Sequence, residues 1–257
     1  TAPTPATTRL TVDLDALVGN WRTLQAFAPA AETAAMVKAD AYGLGVDRVV
    51  PALARAGCRT FFAAFPDEAV AVRKAAPDAR VFVLAGLFEE TAIAFIEHRL
   101  VPVLNRREDL AVWQRTAASS GRRLACALHF DTGMNRLGLD VAEAGDIAAA
   151  IAAEPGLDPA LVMSHLACAD EPAHPLNTTQ KARFDAVRGL LPGVAASLAN
   201  SAAVLTEPGL AYDLTRPGIA LYGGEALKGS AGPIMPVVTF EARILQVRRV
   251  RKGETVG

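Results

Sequence analysis

The chain reads as an α/β protein: a (β/α)8 TIM-type barrel followed by the start of an all-β domain. Three observations predict this. Eight short apolar runs alternate with alanine-rich amphipathic stretches. Runs such as VFVLAG and LACALHF lack the in–out alternation of a half-exposed strand, as strands covered on both faces do. Beyond Gly229–Pro233 the texture switches to a β-type alternation over Pro236–Val250. Strands alternating with helices imply a parallel sheet, and a tally of eight favours closure into a barrel. On periodicity alone a doubly wound open sheet remains the alternative.

Element by element, Thr11–Phe27 predicts an opening helix, with Leu14, Leu17, Val18, Trp21 and Leu24 at helical spacing. Strands are expected at Ala34–Val37, Thr60–Phe65, Val81–Ala85, Val101–Leu104, Leu124–Phe130, Leu161–Leu166, Ala196–Leu198 and Leu214–Leu221. Helices are expected at Val46–Ala56, Asp67–Ala75, Glu89–Glu97, Arg107–Ala118, Ala142–Ala152 and Thr178–Leu190. The segment after Ala196–Leu198 has room for barely one helical turn. Residues 1–232 then form the barrel with its N-terminal helix, and 233–257 begin a C-terminal β domain. That domain does not close a core of its own before Gly257, so the sequence reads as truncated.

Composition narrows the function classes. The 257 residues are 51% hydrophobic and 21% charged, with a net charge of −1, the profile of a globular enzyme. A nucleic-acid partner would need a basic face. The run Arg248, Arg249, Arg251 and Lys252 alternates with valines and reads as a solvated strand edge. Cys58, Cys126 and Cys168 are an odd, widely spaced set with no C-x-x-C pair, so neither a disulfide framework nor a metal site is expected. Thr1–Thr8 carry no basic segment followed by an apolar one, and no run is long enough to span a membrane. The expected location is the cytoplasm.

Barrel enzymes build their sites at the C-terminal ends of the strands. Lys38, Tyr42, Arg136, His165, Asn200 with Ser201, and Arg216 fall at the ends of the first, fifth, sixth, seventh and eighth expected strands. Lys38 follows the apolar run AAMV, a partly desolvated setting that suits an amine nucleophile; a lysine reaching into water is the alternative. Asn200–Ser201 and the backbone of Gly218 and Ile219, in Pro217-Gly218-Ile219, stand where barrels bind phosphate, or form an ordinary turn. Arg216 inside an apolar strand needs a partner or a ligand. His165 equally suits a hydrogen-bonded core histidine. His174 reads as solvated, and the sequon at Asn177 has no meaning in a cytoplasmic chain.

Five segments carry a resemblance. AMVKADAYGLG (35–45), DTGMNRLG (131–138), SHLACAD (164–170), NSAA (200–203) and RPGIALYG (216–223) resemble, in order, the motifs of the bacterial alanine racemase family. The tail from Pro236 is similar to the opening of that family's C-terminal β domain. The resemblance implies pyridoxal 5'-phosphate carried covalently by Lys38, which also serves as one of two acid–base groups. Tyr42, Ser201, Gly218 and Ile219 would hold the phosphate, with Asn200 close by. Arg136 would lie near the cofactor's phenolic oxygen and the substrate carboxylate. His165 would pack on the ring and contact Arg216, whose guanidinium would face the pyridine nitrogen. An arginine only donates hydrogen bonds, so it keeps that nitrogen unprotonated and the ring a weaker electron sink. That favours rapid reprotonation, hence racemisation over transamination.

The family further implies a homodimer with a shared active site, alanine as substrate, and D-alanine supplied for peptidoglycan. Its second base is a tyrosine of the partner's C-terminal domain. Tyr42, Tyr212 and Tyr222 all lie in the expected barrel, so none matches it. Three departures stand out. His129 occupies the place of a lysine that many members carbamylate beside Arg136, so another anion, a water or the imidazole itself is expected to position Arg136. Asp40 replaces the usual Asn, and Leu44 the usual His. Competing readings are a noncatalytic pyridoxal-phosphate-binding barrel and a serine or broad-specificity racemase. A decarboxylase would place a carboxylate where Arg216 stands.

Overall fold

The structure is a computed structural model that describes residues 7–230 and 232–257. The reading of the N-terminus as leaderless therefore falls mostly outside the described residues. The chain begins with β1 (Thr8–Val12), then α1 (Leu14–Phe27). The opening helix is thus shorter than expected: Thr11 and Val12 are strand, and Asp13 caps α1 by accepting from Ala16 N at 2.9 Å.

The first barrel strand is β2 (Glu32–Thr33) continued by β3 (Ala35–Met36), and it leads into the turn α2 (Lys38–Tyr42). There follow α3 (Val46–Ala56), β4 (Thr60–Ala63), α4 (Pro66–Ala75), β5 (Arg80–Val83), α5 (Ala92–Glu97), β6 (Val101–Leu104) and α6 (Arg107–Ser120). Next come β7 (Leu124–Asp131), β8 (Leu139–Asp140), α7 (Ala144–Ala152), β9 (Leu157–Met163), α8 (Pro175–Gly189), β10 (Ala196–Ser197), α9 (Ser201–Thr206) and β11 (Leu214–Thr215). β3, β4, β5, β6, β7, β9 and β10 pair in that order, all parallel, and β2 pairs with β11. Backbone bonds from Asp213 N to Ala196 O and from Ala34 N to Thr215 O, each 3.0 Å, close the circle. The eight-position barrel is the one expected, not an open sheet.

Two expected strands are placed differently. The sixth runs Leu157–Met163, not Leu161–Leu166, because Asp158 and Pro159 interrupt the apolar pattern; the β7–β9 register shifts at Cys126/Ala127, opposite them. The eighth ends at Thr215, and Ile219–Tyr222 is a 3-10 turn, so Pro217-Gly218-Ile219 lies beyond the strand and not in it.

Strand periodicity sorts the core into two layers. Ala34, Met36, Phe62, Phe82, Val103, Ala127, Leu161, Met163 and Leu214 pack together inside the barrel. Their sequence neighbours, such as Ala35, Phe61, Val81, Leu128 and Val162, pack outward against the helices.

Among the described residues β12 (Val238–Ala242) is the only strand of the expected β stretch; Val237 O and Arg243 N extend its pairing to Asp13 N (2.8 Å) and Thr7 O (2.9 Å), and residues 244–250 form no strand. β12 lies antiparallel to β1, which offers only five residues of edge. Fully buried Asn20 of α1 ties this ribbon to the barrel, donating to Leu221 O (3.2 Å) and Met235 O (2.9 Å) and accepting from Met235 N (2.8 Å).

Candidate active site

The strand alternation that fills the barrel also furnishes the site. Two residues beyond the interior positions Met36, Val103, Ala127, Met163 and Leu214 stand Lys38, Asn105, His129, His165 and Arg216. Side chains recur on one face every second residue, so this polar set caps the apolar interior at its C-terminal mouth. A cavity of about 230 Å³ opens there. Lys38, Tyr42, His165, Asn200, Ser201, Arg216, Gly218 and Ile219 all line it. Arg136 does not: it is exposed in the loop after β7, and its charge reaches the cavity floor by depressing the proton affinity of His129 and His165.

Lys38 leaves β3 into an uncommon turn. Ala39, Asp40, Ala41 and Tyr42 all have left-handed φ, between 50° and 58°. The turn is therefore made by residues with side chains, not by the glycines that follow, at about 1–2 kcal/mol per residue. Gly43 N bonds back to Ala39 O (2.8 Å), and Asp40 Oδ1 accepts from Val46 N (2.8 Å), capping α3. That contact needs only an acceptor oxygen, so Asp serves there as Asn would. Leu44 packs against the core.

The turn delivers Tyr42 onto Tyr222, with rings 4.4 Å apart and 26° from parallel; Tyr222 Oη donates to Met36 O at 2.8 Å. Burial raises the pKa of the Tyr42 phenol. Gly218 lies directly beneath: a Cβ there would come 2.3 Å from Tyr42 Oη, so the backbone approaches the ring only as glycine. Ser201 Oγ accepts from Gly218 N (2.8 Å) and Ala220 N (3.3 Å), and Asn200 Oδ1 caps α9 through Ala203 N (3.1 Å).

Arg216 is 3% exposed. Nη1 donates to Ser197 Oγ and Nη2 to Ser164 O at 2.5 Å, and no carboxylate pairs with it among the described residues. Burial brings its pKa down to about 9. Its bonds thus go to two neutral oxygens, the carbonyl that precedes His165 and the Ser197 hydroxyl, not to the imidazole. His165 is held by its backbone: Gln180 Nε2 donates to its carbonyl (2.9 Å) while Gln180 Oε1 accepts from Ala167 N (2.9 Å). Burial, then the charges of Arg216 and Arg136, lower its pKa to about 3.

His129 is 9% exposed, and its Nδ1 lies 2.7 Å from Asn105 Oδ1. Asn105 uses both amide hydrogens on Leu84 O (2.9 Å) and Val103 O (3.1 Å), so its oxygen faces the ring. Nδ1 therefore carries the proton and Nε2 presents a lone pair. Burial and the charge of Arg216 bring the His129 pKa to about 4, so the ring stays neutral.

Asn105, Ser164, Gln180 and Ser197 were not foreseen as supports. Asn105 was findable, two residues past an interior valine; buried Gln180, on α8, carries no local signal. His174 is not simply solvated, since its Nδ1 caps α8 through Leu176 N at 3.2 Å. Asn177 is buried, with Nδ2 bonded to Cys168 O and Glu171 O, which excludes its sequon from modification in the folded chain. Cys58 and Cys126 are buried free thiols with pKa pushed up to about 12 by burial. Among the described residues no cluster could hold a metal, and no helix is long and apolar enough to cross a membrane.

Fold and cavity define a β/α-barrel protein with a lysine, two neutral imidazoles and a buried arginine at its mouth. Residues 12–226 match the alanine racemase N-terminal domain. Alanine racemase of Rhizobium meliloti is 50% identical over 250 residues, covering 97% of this chain and 66% of that protein. The biosynthetic alanine racemase of Agrobacterium fabrum is 47% identical, covering 96% and 63%. The chain thus spans slightly under two thirds of those relatives. The structure of alanine racemase from Bartonella henselae with covalently bound pyridoxal phosphate superposes with a TM-score of 0.89 at 34% identity, covering 95% of this chain and 72% of that one. The chain belongs to the alanine racemase family.

Proposed function

We propose that this protein interconverts L- and D-alanine with pyridoxal 5'-phosphate held on Lys38. The observation that carries this reading is Arg216: a buried guanidinium with only neutral partners, lining the same cavity as Lys38. Such a cation suits a ring nitrogen that accepts a hydrogen bond and stays unprotonated. The close approach of Gly218 to Tyr42 and the hydroxyl of Ser201 suit a phosphate. The residues present therefore fit the group.

When bound, the cofactor draws electron density from the substrate's α-carbon so that its proton can leave. Lys38 Nζ takes or returns that proton on one face. Tyr42, Ser201 and the backbone of Gly218 and Ile219 hold the phosphate, with Asn200 keeping α9 in place. Arg136 receives the substrate carboxylate from the rim. Neutral His165 packs on the ring, its Nδ1 and Nε2 unable to bring a second proton between Lys38 and Arg216 at neutral pH. Nε2 of His129 is an acceptor suited to the guanidinium of Arg136, a role that needs no carbamate.

We further propose a cytoplasmic homodimer with a shared active site, in which a tyrosine of the partner's C-terminal domain serves the opposite face, and a role in supplying D-alanine for peptidoglycan. Family membership supports these points. A net charge of −1 gives no reason to invoke nucleic acid, and no membrane partner is proposed. The barrel is proposed to end near residue 232 and a β unit to begin there; the pairing of β1 with β12 supports counting β1 with that unit.

The test is deuterium uptake from D2O into each alanine enantiomer, with cofactor present and products separated by chirality. Deuterated product of both hands is expected. Uptake into neither, with cofactor shown to be bound, would overturn the reading in favour of a noncatalytic carrier. Preference for serine over alanine would redirect the substrate while leaving the mechanism intact.

A further inference from the structure

We infer that Glu68 is a positioning residue that fixes the direction in which Lys38 enters the cavity. Glu68 stands in the first turn of α4. Its Oε2 accepts from Ala64 N at 2.8 Å and Phe65 N at 3.4 Å, the ordinary reach of a capping glutamate to the start of its own helix. Its Oε1 does something capping does not require. It crosses to the neighbouring βα junction and accepts from Ala39 N at 2.7 Å.

Ala39 directly follows Lys38 and is the first residue of the left-handed turn, with φ 53°. On the other side of Lys38, Val37 N is bonded to Phe62 O at 2.9 Å, within the barrel. The lysine backbone is therefore held from both sides: by the sheet before it and by a carboxylate after it. A left-handed turn of non-glycine residues persists only where the surroundings over-determine it. Its internal bonds, Ala41 N to Val37 O and Gly43 N to Ala39 O, bypass the N–H of Ala39. Glu68 is the acceptor for that N–H. The bond is charge-assisted, stronger than a neutral one. One carboxylate thereby joins the ends of the first two barrel strands around the residue that reacts.

An amide at this position cannot do the same. Glutamine keeps one oxygen, so it can serve Ala39 or the α4 cap, and its NH2 then faces the other N–H as a second donor. This inference rests on the reading of Lys38 as the cofactor lysine, and the test separates the two. Full-length wild type, Glu68→Gln and Asp13→Ala are stripped of cofactor and mixed with pyridoxal phosphate. The rate at which borohydride traps label on the Lys38 peptide is then followed by mass spectrometry. Asp13→Ala removes the cap of a different helix, α1, without touching a bond to the turn, and sets the effect of lost stability alone.

Glu68→Gln is expected to slow labelling of Lys38 about tenfold, and to speed amide exchange at Ala39. Asp13→Ala should leave both near wild type. Equal labelling rates in Glu68→Gln and Asp13→Ala would overturn the inference and leave Glu68 a helix cap. Absence of label on Lys38 in the wild type would instead sink the cofactor-lysine reading itself, before any variant is compared.

Discussion

At the residue scale, the site is governed by where protons are allowed to sit. His129 and His165 ionise near 4 and 3 in the fold, against about 6.5 in an unfolded chain. Between those values the unfolded state binds the extra protons, so folding weakens as pH falls through about 6.5 and the loss levels off below the folded values. By pH 5 each ring should cost on the order of 2 kcal/mol. Urea midpoints measured from pH 7.5 to 5 should fall steeply, and His129→Gln should flatten that fall. A midpoint independent of pH over this range would mean the rings are not buried neutral. Arg216 is the opposite case, a cation kept in place by Ser197 Oγ and Ser164 O. Ser197→Ala should raise the dissociation constant for pyridoxal phosphate several-fold, read by cofactor absorbance, because one of its two anchors is lost.

At the element scale, the turn α2 is where backbone strain and chemistry coincide. Four consecutive left-handed residues cost about 1–2 kcal/mol each. Ala39 is exposed, so replacing it by glycine removes strain without opening a cavity. Ala39→Gly should stabilise the cofactor-free protein by about 1 kcal/mol and lower kcat, since the lysine's exit becomes less restricted. Thermal midpoint and turnover measured together test this; a gain in both would show that the strain has no part in positioning Lys38. The short strands make a related point. β10 and β11 each contain two residues, yet they complete the barrel, because their carbonyls and N–H groups find partners on both sides.

At the scale of the whole molecule, the barrel and the β1–β12 ribbon share one buried asparagine. Asn20 makes three hydrogen bonds to backbone groups more than 200 residues away. Asn20→Ala would leave two carbonyls and one N–H without partners, and should cost about 3 kcal/mol in urea unfolding. A loss below about 0.5 kcal/mol would show that water replaces the amide freely. The same substitution should leave the Lys38 cavity unaltered, since no atom of Asn20 lines it.

Composition, hydrophobic period and motif order in the sequence alone determined the parallel barrel, six of the eight strand positions to within a few residues, the cavity-lining set from Lys38 to Ile219, and the family. Those features are local: a strand end is written in an apolar run and the polar residue that stops it. Several features were decided only by the tertiary structure. Neither the continuation of β9 back through Pro159 to Leu157 nor the pairing of β1 with β12 is visible in local pattern, because each depends on an edge supplied by distant chain. The left-handed course of Ala39–Tyr42 runs against the intrinsic preference of every residue in it, so no propensity announces it. The proton on His129 Nδ1 follows from the two carbonyls that occupy Asn105, and the hold of Glu68 on Ala39 joins residues 29 apart. Hydrogen-bond partners of this kind are chosen by proximity across barrel strands, and proximity is set only once the barrel has closed.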